Sequence, residues 1–196
     1  MGSKTCLLES TDTVALSRQL LGHLLCRRLP DGSTLKWPLC ELEAYDGQED
    51  KACHAHRGRT PRNEIMFGSA NRWYVYLCYG VHELLNIVTG PVDYPAAVLI
   101  RGAGGIYGPG RVTKALQIGR SFNTLSATAE SNLWLEPPGE QLVDNFIVQT
   151  PRIGIDSVGQ EWASKSYRFW IRPKDFKAAF PQFTKESQPA ISSHYR

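Results

Sequence analysis

The chain has 196 residues, of which 42% are apolar and 21% charged, a balance that suits one folded domain with a sizeable core and excludes a disordered chain. No apolar run reaches the ~18–20 residues that a helix needs to cross a bilayer, so a membrane span is not expected. A net charge of +3 and a pI near 8.6 permit a nucleic-acid partner without demanding one.

In chain order, Ser10, Thr11 or Asp12 can cap a helix predicted to run to about Arg27, with Leu16, Leu20, Leu21, Leu24 and Leu25 as its apolar stripe. Pro30-Asp31-Gly32-Ser33 is a turn signal, and a β-like stretch follows from Thr34 to Tyr45 with an edge or bulge expected at Pro38. Residues 46–71 are polar and rich in Gly, Arg and His, which predicts a long loop or short helical pieces. Strands are predicted over 72–79, 82–89 and 96–101, with Gly80 turning the first into the second. A glycine-rich loop, 102–110, leads to a short helix opened by Pro109 and running to Ile118. Residues 123–140 carry turn signals, and two late strands are expected near 146–155 and 166–171. The pattern is α+β with a mostly antiparallel sheet, in one domain spanning 1–196 with flexible tails at 1–8 and about 181–196.

Five cysteines, Cys6, Cys26, Cys40, Cys53 and Cys78, form no CxxC pair, which argues against a disulfide framework and for a reducing, intracellular compartment. The first residues, Met1–Lys4, lack the apolar run of a signal peptide.

Four segments carry residue types suited to chemistry. In Glu41-Leu42-Glu43-Ala44-Tyr45, strand alternation puts Glu41, Glu43 and Tyr45 on one face, where a carboxylate beside a ring can act as a general base. The same acids could form an exposed strand end or, with Glu49 and Asp50, a hard-metal site, although the spacing fits no calcium loop. In the aromatic strand, Tyr79 just before Gly80 is poorly placed for burial, and an exposed ring at a turn tip can wedge between base pairs. Arg57, Arg59 and Arg62 in a Gly/Thr-containing loop suit phosphate contact, or form a solvated basic face. Cys53, His54 and His56 in that loop lack a fourth zinc ligand at a standard offset. Arg101 ends an apolar strand, either at the surface or aimed into a site.

Together these segments resemble the 3-methyladenine (alkyladenine, or methylpurine) DNA glycosylase family from about Leu16 to Arg172. The motifs, in the family's order, are ELEAYDGQED (41–50), CHAHRGRTPRNEIMF (53–67), YVYLCYGVHELLNIV (74–88), AVLIR (97–101), GPGRVTKALQI (108–118), and RIGI (152–155) followed by EWASKSYRFWIR (161–172). The resemblance implies a mixed domain around a curved antiparallel sheet, with a β-hairpin that enters the minor groove. It implies a monofunctional glycosylase that flips 3-methyladenine, 7-methylguanine and, less securely supported by the residues, hypoxanthine out of duplex DNA and starts base excision repair. By the same resemblance Glu43 is the general base. Arg101 and the backbone carbonyl of Ile153 hold the attacking water with it. Tyr45, His54 and Tyr76 stack on the flipped base, Asn86 obstructs the 2-amino group of guanine, and Tyr79 fills the vacated stack. Arg111 and Lys114 join the three loop arginines as backbone contacts. No lysine aligns with the site, so no Schiff-base lyase step is expected.

The resemblance implies damaged duplex DNA as the partner and no metal or other cofactor, with a location at the nucleoid in a bacterium or in the nucleus of a eukaryote, and a monomer is expected because no extended apolar helix or heptad seam is visible. Two departures stand out. The connection from Arg101 to Gly108 is short, as in compact bacterial members, and Leu84 and Leu85 are bulky enough to narrow the pocket. The rival readings are a noncatalytic binder of damaged DNA, a metal-dependent nuclease using Glu41, Glu43 and Asp46, and a glycoside hydrolase using Glu41 and Glu43.

Overall fold

The helix signalled by the leucine stripe stops early. In the computed structural model, which describes residues 8, 10–139 and 142–183, α1 spans Thr13–Leu20 and is capped by Asp12, whose carboxylate accepts the Ala15 N–H at 2.8 Å. Leu21 leaves the helical region and Gly22 takes a left-handed φ of +84°, which only glycine adopts without strain. Leu24 and Leu25 therefore fall in strand β1 (Leu24–Arg28). Their spacing from Leu20 and Leu21 fits a helix, but pairing on both edges of β1 outweighs it.

β2 (Thr34–Asp46) is the spine of the sheet. Its first half pairs with β1, and its second half pairs with β5 (Ala96–Ala103) on one side and β9 (Arg168–Ile171) on the other. The changeover lies at Pro38, and register shifts follow between Leu39 and Glu41 and between Glu41 and Leu42. The irregularity expected at Pro38 thus lies just beyond it, as a bulge at residues 39–42 of an interior strand. β3 (Trp73–Cys78), β4 (His82–Val88) and β5 form the antiparallel end of the sheet. After β6 (Ile106–Tyr107), α2 (Pro109–Ala115) packs on β4 and β5, with Pro109 in its first turn as expected. The strand β7 (Leu133–Glu136) pairs with β1 inside a stretch read only as turns. β8 (Ile147–Thr150) pairs with β9, between them lies α3 (Gln160–Ala163), and α4 (Phe176–Ala179) follows. The outcome is the expected α+β class, an open antiparallel sheet of nine strands among the described residues.

Alternation along the strands divides the sheet into two faces. Trp73, Val75, Leu85, Ile87, Val98, Ile100 and Leu42 point into the main core with Leu16 and Leu20 of α1 and Val112 and Leu116 at α2. Leu85 therefore faces the core and not the cleft described below. Residue 46 ends β2, and segment 47–71 is turns, bends and one 3-10 piece at Glu64–Phe67, as its composition suggested. The free edge of β3 is closed by groups that are not strand. Trp73 N donates to Leu125 O, Thr124 N to Trp73 O, Val75 N to the Asn123 side chain, and an Arg62 nitrogen to Leu77 O. Of the tails, Leu8 is described and buried, its carbonyl accepting the Gly90 N–H, and residues 181–183 are described. The rest of those tails lies outside the described residues. Among the described residues no helix is long and apolar enough to cross a membrane.

The bulge in β2 sets a tight approach beside Arg101. A Cβ at Gly102 would stand 2.8 Å from Glu41 Cβ and 3.0 Å from Cys40 Sγ, with backbone close behind. Gly102→Ala is expected to cost ~1–3 kcal/mol of stability by overpacking, measured as a lower midpoint in urea unfolding.

Candidate active site

The opposite face of the same strands floors a cleft of about 750 Å³. Tyr74, Asn86, Leu99 and Glu43 stand in one row across β3, β4, β5 and β2. Tyr76, Leu84, Arg101 and Tyr45 flank that row and line the cleft, while Ile153 and the turn after it close the far side. The period of two thus gathers Glu43, Tyr45, Tyr76, Asn86 and Arg101 from four strands.

Glu43 is fully buried and lies just beneath the cleft surface, behind three partners that line it. Its Oε1 accepts the Ile153 backbone N–H at 2.8 Å and lies 3.4 Å from Arg101 Nε, and its Oε2 accepts the Tyr45 hydroxyl at 3.0 Å. At Ile153 it is the amide N–H that meets the carboxylate. Burial pushes the Glu43 carboxyl above its ordinary value, against the pull of Arg101, Ile153 and Tyr45, while Glu41 adds to the rise. Burial and the neighbouring Glu43 hold the Tyr45 phenol well above its usual range, so it remains a donor. Burial works against the Arg101 charge, but Glu43 and Glu41 outweigh it and raise the Arg101 pKa.

Glu41, also buried, accepts Arg101 Nε at 3.0 Å and Arg168 Nε at 2.7 Å. This carboxylate faces two guanidinium groups, an arrangement that orients Arg101 and differs from a paired acid and base.

The aromatic wall is a packed trio. His54 meets Tyr76 edge-on at 4.6 Å between centroids, and Tyr74 lies 5.2 Å from Tyr76. His54 Nδ1 is 2.9 Å from the Tyr74 hydroxyl, which fixes the ring and leaves its other nitrogen for the cleft. Burial of the ring, and then the charge of Arg62, lower the His54 pKa below 6.5 and keep the imidazole neutral near pH 7. Asn86 donates to the Tyr74 carbonyl at 3.1 Å, which pins its amide in the floor.

At the cleft mouth, the β3–β4 hairpin closes through Tyr79, Gly80 and Val81, with Tyr79 and Gly80 at φ +50° and +70°. Tyr79 is 92% and Val81 72% exposed, so the tip presents two apolar side chains to solvent. The hairpin leans on α2. Thr113 Oγ1 donates to Glu83 O at 2.7 Å, and a Cβ at Gly110 would come within 3.0 Å of His82.

The basic residues sort by surroundings. Arg62 lines the cleft and lies over the Tyr76 ring at 5.2 Å, and Arg111 lines it from the α2 side. Arg59 forms ion pairs with Glu64 and Asp93 over the Phe67 ring. Arg57 and Lys114 are exposed and stand outside the cleft lining. Cys53, His54 and His56 diverge to Pro95 O, Tyr74 and Gln48 O respectively.

Sequence reasoning missed Tyr74, Arg168 and the buried pair of Asp50 with Arg152. Alternation from Tyr76 places Tyr74 on the cleft face and could have found it. The Asp50–Arg152 pair joins residues 102 positions apart, and nothing local announces it.

Against known proteins, the family model described as methylpurine-DNA glycosylase (MPG) matches residues 7–175. Similar proteins carry the name "putative 3-methyladenine DNA glycosylase". One from Psychrobacter cryohalolentis is 39% identical, covering 76% of this chain and 84% of its own length. One from Methanocella arvoryzae is 38% identical, covering 81% and 86%. A third, from Myxococcus xanthus, is 39% identical over 81% of this chain and 84% of its own length. The chain belongs to the methylpurine-DNA glycosylase family, and is thus a hydrolase of N-glycosidic bonds in DNA.

Proposed function

We propose that the chain is a monofunctional, single-domain 3-methyladenine DNA glycosylase that works as a monomer on damaged duplex DNA, without metal or other cofactor. It releases alkylated purines, 3-methyladenine and 7-methylguanine first and hypoxanthine secondarily. The observation that carries the reading is a buried carboxylate, Glu43, held by Arg101, Ile153 N–H and Tyr45 behind a cleft walled by aromatic rings.

In this reading the target nucleotide is extruded at a cost of a few kcal/mol, and Tyr79 occupies the gap. Tyr45, Tyr76 and His54 receive the base. A cationic alkylpurine gains ~0.5–2 kcal/mol from ring faces, and a neutral His54 does not repel it. Asn86, its amide tied to Tyr74 O, supplies the discrimination against guanine. Arg62 and Arg111 contact the phosphates at the rim, with Arg57, Arg59 and Lys114 further out.

Glu43 Oε1 accepts the Ile153 N–H and faces the Arg101 guanidinium at 3.4 Å, whereas Oε2 meets only the Tyr45 hydroxyl, so Oε2 is the oxygen that takes a proton from water. A water reaches it when the Tyr45 contact opens. The water oxygen bonds to the sugar's anomeric carbon, its proton passes to Glu43, and the N-glycosidic electron pair leaves with the base. Loss of the alkyl charge makes that departure favourable.

The test is a duplex with a single 3-methyladenine, incubated in EDTA and then heated in alkali. Breaks that form only after alkali support the reading, and damage binding without base release supports the noncatalytic alternative. Tyr79→Ser is expected to weaken binding to the lesion duplex by ~1–3 kcal/mol, about 5- to 150-fold. The melting temperature should hold, because the ring is exposed. Fluorescence anisotropy with parallel thermal melts checks both.

A further inference from the structure

Asp50 and Arg152 are buried and joined in a bidentate pair, with Nη1 to Oδ2 at 2.5 Å and Nη2 to Oδ1 at 2.8 Å. A buried ion pair is weak evidence for stability, since well-packed apolar residues often do as well. This one ties three segments together. Arg152 Nη1 also donates to Ala44 O at 2.8 Å, and its guanidinium lies over the rings of Tyr45 and Tyr167 at 4.8 and 5.2 Å. Asp50 accepts the backbone N–H groups of Asp46 at 3.2 Å and Ala52 at 3.0 Å. The residue after Arg152 is Ile153, whose N–H meets Glu43 at 2.8 Å, and Gly154 then turns the chain away at φ +77°.

We propose that Asp50 and Arg152 are positioning residues that hold the Ile153 N–H on Glu43 Oε1, fixing one oxygen and leaving the other for water. This rests on the reading of Glu43 as the base. The groups facing Glu43 are Tyr45 and Glu41 from β2, Arg101 from β5, Tyr76 from β3, and Arg152 with the Ile153 N–H from the loop after β8. Arg168 from β9 faces Glu41. If the loop relaxes and the N–H withdraws, Arg101 and Tyr45 are the near partners left to oppose the upward push of burial. The carboxylate then protonates at higher pH, and the acid limb of base release moves up.

Asp50→Asn keeps the shape but removes the charge and turns one acceptor into a donor. Single-turnover release of 3-methyladenine across about pH 5–9 is expected to show the acid limb raised by about one unit. The high-pH plateau should approach that of the unaltered protein, and affinity for the lesion duplex should hold. Arg152→Lys, which keeps the charge but loses the fork to Asp50 and Ala44, is expected to shift the limb the same way. An unshifted limb in either folded variant overturns the proposal. Should both unfold, the unaltered protein decides, because its Ile153 amide resonance should titrate in step with the acid limb. An amide insensitive to pH through that limb overturns the proposal equally. Absence of base release by the unaltered protein would instead remove the functional reading, with the Ile153 titration still deciding whether the N–H sits on Glu43.

Discussion

Glu43→Gln is expected to abolish base release and, at neutral pH, to raise the melting temperature. Loss of a general base typically slows a reaction ~10²–10⁴-fold, while Gln keeps the size of the side chain and an oxygen for Ile153 N–H. Damage binding should therefore survive, since the rings and the hairpin tip are untouched. The stability gain follows from the sign of the shift. Burial raises the folded-state pKa of Glu43 above its ordinary value. Below that ordinary value both states are protonated and the group costs nothing. As pH rises through the ordinary value and on to the raised folded value, the unfolded chain ionises first and stability is lost. Glutamine never ionises, so the difference in melting temperature should grow from acid to neutral pH. Single-turnover kinetics and calorimetry at two pH values check the pair. Base release at the unaltered rate would strip Glu43 of its role, and equal melting at neutral pH would contradict the burial argument.

Arg101→Met should move both readouts differently. Arg101 Nε stands 3.0 Å from Glu41 and 3.4 Å from Glu43. Removing one partner of a buried ion pair costs ~3–5 kcal/mol, because it leaves charge uncompensated. Glu41 keeps Arg168, so the deficit falls mainly on Glu43. Without its cation Glu43 protonates at higher pH. Activity is expected to drop at neutral pH and recover in part under alkaline conditions, whereas Glu43→Gln recovers at none. Denaturant unfolding and a pH–rate profile separate the two variants, and an Arg101 variant with no recovery on raising pH would show that the guanidinium acts on more than the Glu43 carboxyl.

The sequence was most readable where one period governs a whole strand. Alternation in 41–45 placed Glu43 and Tyr45 on a common face, Tyr76 came from the family resemblance, and Tyr79 just before Gly80 marked the hairpin tip. Elements fixed by tertiary pairing were harder to read. The leucine stripe kept a helical period past Leu20, yet Gly22 and the two-sided pairing of β1 decided the outcome. β7 is four residues long and is defined by its partner. Leu84 and Leu85 looked alike in sequence, but alternation sends one to the cleft and the other to the core. Among the arginines, composition alone did not separate Arg62, beside Tyr76, from Arg59, which is neutralised by two carboxylates.

A strand that ends a sheet is a template for another chain, and an exposed edge beside an apolar tip is a common seed of aggregation. Here β3 carries such a tip, with Tyr79 and Val81 in solvent, yet its outer backbone is occupied by Leu125, Thr124, Asn123 and Arg62. Since those groups leave no continuous ladder to extend, the protein can carry sticky side chains at the end of a long hairpin without recruiting a second copy into its sheet. The tip side chains stay in solvent while the strand edge behind them is closed to β-addition.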